Sequence, residues 1–210
     1  MFIAFAISCL LVYYSYETVD RSLAFVGCYA DSDRKLYIQK NIVKGVYLMI
    51  LSVCTTLYFC FFPWDNTVLK TLAACYVSND IVGLYMVKLP TSTKIHHATS
   101  GMFLIFTYTL DFLVSEVGSL LVYYTYFSSL AFAVNIYLGL RLCFEIHPPW
   151  LNDLRNFCKW WYLTVCFLNW TTQLYMMSGL NLQVGVYSSM ILLIVLDDVV
   201  LLKWLFKEDW

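Results

Sequence analysis

The chain has 210 residues, of which 61% are hydrophobic and only 13% charged, and its mean hydropathy is +0.69. A soluble domain carries about 25% charged residues, so a water-soluble fold is excluded; the net charge of −1 is uninformative about nucleic acid, and no basic cluster suggests that it binds any. The eight cysteines (9, 28, 54, 60, 75, 143, 158 and 166) form no CxxC and no metal-ligand spacing, and read as reduced thiols packed among apolar neighbours.

Runs of ~18 or more apolar residues recur, each long enough to cross a hydrocarbon core of ~30 Å. They predict an all-α polytopic membrane protein of about seven transmembrane helices. The first span, residues 2–16, is short. No basic residue precedes it and no A-x-A-like site follows, so it is expected to stay in place rather than be cleaved as a signal. Spans over 41–62, 67–89 and 95–114 come next. The fifth, 117–144, exceeds what a bilayer requires and is expected to tilt or to begin outside the core. The last two run over 159–178 and 184–206. All four prolines (63, 90, 148 and 149) fall between spans, where they break no helix. Trp64, Trp150, Trp160, Trp161 and Trp204 sit near predicted ends, as an aromatic belt requires. No internal repeat or soluble domain is visible. The longest extramembrane stretches are 17–40 and 145–158, so the chain divides into an N-terminal helix and loop, 1–40, and a six-helix membrane domain, 41–210.

Charge sets the direction of threading. With seven spans, Arg21, Arg34, Lys35, Lys40, Lys44, Lys88, Lys94, Arg141, Arg155, Lys159, Lys203 and Lys207 fall on one side, and Lys70 alone on the other. The positive-inside rule makes the rich side cytoplasmic. The N-terminus is therefore expected on the lumenal or external side and the C-terminus in the cytoplasm.

Polar residues inside the spans locate a candidate site. At 1.5 Å rise per residue, Asp80, eight residues before Lys88, lies about 12 Å into the core. Asp197 and Asp198 lie about 8–9 Å in, counted from Lys203, and Asn135 about 9 Å in, counted from Arg141. His96 and His97 open the fourth span at some 3–5 Å. Asn169 and Gln173 fall near the midplane. Ionisable groups are costly in lipid and mark cavities or sites, so these residues predict a polar cavity open to the cytoplasm and walled by the third to seventh spans. Asp111 stands about 22 Å from His96 along the helix; it and Glu116 read as plain surface charges at the opposite end. Adjacent histidines project about 100° apart, which makes them poor co-ligands, and no metal site is expected.

Three elements resemble the TLC domain family, which includes the ceramide synthases. An aspartate stands late in the domain's second helix, in Tyr76-Val77-Ser78-Asn79-Asp80-Ile81. A histidine pair opens the next, in His96-His97-Ala98-Thr99-Ser100. About 30 residues on comes Phe127-Ser128-Ser129-Leu130-Ala131-Phe132, followed by Asn135. The resemblance covers roughly residues 41–206. It implies a six-helix barrel preceded by one extra helix, in the endoplasmic reticulum or another internal membrane. It also implies lipid handling by His96, His97 and Asp80, with acyl-CoA as a substrate rather than a resident cofactor. Asp197, Asp198, Asn135, Ser129, Asn169 and Gln173 would line the cavity or bind lipid. Ceramide synthases carry an acid-rich motif after the histidine pair, whereas residues 123–129 here contain no acid.

Three functions remain open on these residues: a lipid-modifying enzyme such as an acyltransferase, a non-catalytic lipid-binding protein, and a structural subunit of a larger membrane assembly. Membrane lipids are the expected partners of the first two, and other membrane proteins of the third. Reporters fused at each terminus are expected to place the N-terminus outside the cytoplasm and the C-terminus inside it. A cytoplasmic N-terminus would overturn the seven-span topology.

Overall fold

A computed structural model describes residues 2–25, 32–179 and 181–207; Cys28 and residues 208–210 lie outside them. The described residues form eight helical segments and no strand: α1 (Phe2–Phe25), α2 (Ser32–Phe61), α3 (Asn66–Met86), α4 (Thr91–Thr109), α5 (Glu116–Ser129), α6 (Phe132–Leu140), α7 (Pro149–Met176) and α8 (Leu182–Phe206). An all-helical chain suits lipid, where every backbone donor and acceptor must be satisfied within the segment. The starts of α3, α5 and α8 are capped by side chains of the expected types. Asp65 accepts from Val68 N at 3.0 Å, Ser115 from Gly118 N at 3.3 Å and Asn181 from Val184 N at 2.9 Å.

Four stretches, Phe2–Ala24, Arg34–Phe61, Glu116–Leu140 and Leu182–Leu205, are long and apolar enough to cross a membrane. α3, α4 and α7 are diluted by polar side chains, and many of these turn inward: Ser78, Asn79, Asp80, His97, Ser100, Asn169 and Gln173 are all buried. Large apolar side chains such as Ile105, Phe167, Leu174 and Leu192 face outward instead. Polar groups inside and apolar groups outside invert the pattern of a soluble protein and match a helical membrane protein.

Three predicted boundaries differ. α1 runs on to Phe25, beyond the short first span, and α2 begins at Ser32, so the expected loop 17–40 is largely helical. α7 begins at Pro149, inside the stretch expected as loop. The overlong fifth span is not one tilted rod. It breaks at Leu130-Ala131, where the backbone tightens into Leu130 N→Phe127 O (3.0 Å) and Ala131 N→Ser128 O (3.2 Å) bonds. The indole N–H of Trp161 donates to Leu130 O at 2.7 Å and so satisfies a carbonyl at the break.

α2 packs on α3 and on α6, α3 on α4, α4 on α8, α8 on α7, and α7 on α5 and α6. These pairings return to α2. α1 lies outside the circuit, against α2 and α3, where Ser8 hydrogen-bonds Ser78 at 2.6 Å and also meets Tyr47. The end near Asp111 is held by hydrogen bonds. Asn66 Nδ2 donates to Asp111 Oδ2 at 3.0 Å, and Glu116 Oε1 accepts from Ser178 N at 2.7 Å and Gly179 N at 3.0 Å. These two acids, expected as plain surface charges, are clasps between neighbouring connections.

The α2–α6 crossing depends on two glycines. A Cβ at Gly45 would stand 2.9 Å from Ile136 N and 3.1 Å from Phe132 O, and one at Gly139 would stand 3.2 Å from Ile38 O. Small residues let membrane helices approach at backbone distance. Gly45→Leu or Gly139→Leu is expected to lower thermal stability in detergent, by about 1–3 kcal/mol for an overpacked site. An unchanged melting temperature would contradict this crossing.

Candidate functional site

The ends of α2, α3, α4, α6, α7 and α8 that converge away from the Asp111 clasp enclose a cavity of about 300 Å³. α2 contributes Tyr37, Lys40, Asn41 and Lys44, α4 contributes His96 and His97, and α6 contributes Asn135. Tyr162 and Asn169 of α7 and Asp197, Asp198 and Trp204 of α8 complete the opposite wall.

Asp80 of α3 stands directly behind this wall and is fully buried. Its Oδ1 accepts from Lys44 Nζ at 2.5 Å, and His97 Nδ1 stands 2.7 Å from the same oxygen. Its Oδ2 is buried without a hydrogen-bond partner among the described residues. One carboxylate thus joins α2, α3 and α4. His97 is 1% exposed and Lys44 is 7% exposed, so little water screens the cluster.

His96 turns the other way, as the ~100° step between adjacent helical residues requires. Its Nδ1 lies 3.3 Å from Asp197 Oδ2 on α8, and Thr93 donates to Asp197 Oδ1 at 3.5 Å. Asp198 is held from α7 instead, by Tyr162 Oη at 2.7 Å and the Trp170 indole at 3.4 Å. The two histidines therefore serve two separate carboxylates. In each pair the ring nitrogen nearest the carboxylate is Nδ1.

The remaining expected site residues divide. Asn135 and Asn169 line the cavity; Asn135 Nδ2 donates to Ala131 O at 3.0 Å, and Asn169 Oδ1 accepts from Gln173 Nε2 at 3.3 Å. Gln173 itself is core: it donates to Leu120 O at 3.1 Å and accepts from Tyr187 at 2.7 Å. Ser129 is also outside the lining and donates to Tyr126 O at 2.7 Å, whereas its neighbour Ser128 faces the cavity. The helical offset moves the site by one residue.

Lys40 and Lys44 escaped the sequence reading, which took them as cations flanking the second span. The signal was present. Tyr37, Lys40, Asn41 and Lys44 follow the i, i+3, i+4 spacing of one helix face, and Lys44 lies within the predicted span 41–62. No family model, curated protein or solved structure matches the chain.

Removing one member of a buried ion pair strands the other. Asp80→Ala is expected to destabilise the protein by about 3–5 kcal/mol, and Asp80→Ala combined with Lys44→Met by clearly less, because the second change removes the orphaned ammonium. Thermal unfolding of the purified variants in one detergent measures both. A double variant no more stable than Asp80→Ala would contradict the pairing.

Proposed function

We propose that this protein is a seven-span, TLC-like membrane protein that handles lipids in an intramembrane cavity open to the cytoplasm. The observation that carries this reading is the His97–Asp80–Lys44 cluster, three ionisable side chains meeting at a cavity inside an apolar bundle. α3, α4 and α7, at 21, 19 and 28 residues, are also long enough to span. With α5 and α6 counted as one broken span, the total is seven. The circuit α2–α3–α4–α8–α7–α5/α6 is then the six-helix barrel, with α1 as the extra helix. The cation excess at the cavity end makes that end cytoplasmic.

The chemistry this arrangement supports is acyl transfer from a thioester such as acyl-CoA. His97 Nε2 takes the proton of an acceptor hydroxyl or amine as that atom attacks the thioester carbonyl. The C–S bond breaks, and the thiolate leaves with the proton returned from the imidazolium. Asp80 holds Nδ1 and stabilises the imidazolium, the usual part of a carboxylate behind a catalytic histidine. A volume of about 300 Å³ sits at the lower limit for ligand sites. It suits a head group and the reacting carbonyl, with the hydrocarbon chains lying among the helices and bilayer lipids.

A binding-only version of the same reading is favoured by residues 123–129. They lack an acid, and Tyr124 is core, with ring centroids 5.1 Å from Phe103 and 5.8 Å from Tyr76. Mass spectrometry separates the versions. An enzyme changes the acyl-lipid profile of an expressing host, and His97→Ala abolishes that change. A binding protein leaves the profile alone and co-purifies with lipid. Neither a changed profile nor a bound lipid overturns both and leaves a structural subunit.

A further inference from the structure

We propose that the α2 wall of this cavity is an anion subsite, in which Lys40 holds the phosphate of the bound lipid or of its acyl carrier. This rests on the lipid-handling reading above and names the ligand's head-group chemistry. Lys40 lines the cavity and is only 5% exposed. Each carboxylate at the site has a nearer partner than Lys40: Asp80 Oδ1 has Lys44 and His97, Asp197 has His96 and Thr93, and Asp198 has Tyr162 and Trp170. No described carboxylate lies within 4.0 Å of the Lys40 ammonium. Its one hydrogen bond goes to Asn41 Oδ1 at 3.4 Å, a long contact to a neutral acceptor.

The Lys40 ammonium, whose hydrogen bond goes to a neutral amide oxygen and which otherwise meets the Tyr37 ring at 5.9 Å, gains from a ligand anion that binds beside it. Asn41 positions the lysine rather than competing for the ligand, because its amide is spent on Tyr37 O at 2.8 Å. Arg141 lines the same cavity from the α6 side, with its guanidinium 4.5 Å from the Trp204 ring centroid. An ammonium in the wall favours a phosphate over a neutral head group, and lysine binds phosphate as a point charge.

The test uses the full chain in a neutral detergent, titrated with short-chain phosphatidic acid, coenzyme A or diacylglycerol of matching chain length. Thermal shift and tryptophan fluorescence report binding. Phosphatidic acid or coenzyme A is expected to bind, and diacylglycerol is not. Binding of phosphatidic acid alone assigns the phosphate to the lipid, and binding of coenzyme A alone assigns it to the carrier; either supports the subsite. Lys40→Met is expected to weaken binding about tenfold or more, with Lys40→Arg largely retaining it, as loss of one charge-assisted contact predicts. Should Lys40→Met not fold, the comparison of Lys40→Gln with Lys40→Arg serves instead. A failed lipid-handling reading shows as an unchanged host profile with no co-purified lipid, whereas Lys40-dependent binding of phosphatidic acid or coenzyme A by the purified chain tests the subsite by itself. Binding by a charge-neutral Lys40 variant equal to wild type, or equal binding of diacylglycerol, overturns the proposal.

Discussion

The Asp80 carboxylate is the contact on which the rest of this bundle depends. In lipid, helices gain little from hiding apolar surface from one another, so close packing and polar contacts decide which faces meet. Asp80 presents one oxygen to Lys44 of α2 and to His97 of α4, which aligns three helices at one depth. An aspartate left alone there would need water or a proton; here an ammonium and an imidazole stand against Oδ1.

The other acids extend the same logic around the molecule. Asp197 meets His96 and links α4 to α8, and Asp198 accepts from Tyr162 and Trp170 and links α8 to α7. Trp161 bonds the carbonyl at the α5–α6 break and links α7 to that pair. The last step, α6 to α2, is made by backbone approach at Gly45 and Gly139. Polar contacts and one glycine crossing thus close the circuit, and the cavity is the space that the long side chains around it leave open. The geometry that holds the helices together also aims two histidines, each braced by a carboxylate, at one volume. The residues that hold the bundle together also line or back the cavity.

Much of this was legible along the chain. The helical class, the positions of Asp80, Asp197 and Asp198 along their helices, and the separation of Asp111 from the histidines all follow from counting residues along an axis. The divergence of His96 and His97 was legible too, since adjacent positions on a helix cannot face the same way. Other features were not. Lys44 reads as an ordinary flanking cation until α3 is seen to bring Asp80 against it. Ser129 and Gln173 have the right polarity and depth, yet their side chains turn to Tyr126 O and to Leu120 O and Tyr187. The break at Leu130-Ala131 has no proline or glycine to announce it, because the indole that stabilises it comes from another helix.

By itself, then, the sequence determined the helical class, the apolar surroundings this chain suits, and how far apart the polar groups stand along each helix. Composition and a fixed rise per residue are properties of the chain alone. Which carboxylate each histidine meets, which lysine is buried and which serine faces the cavity were decided only by the tertiary structure. Those depend on the rotation of each helix about its axis and on the identity of its neighbour, and both are set by packing against residues far away in the chain.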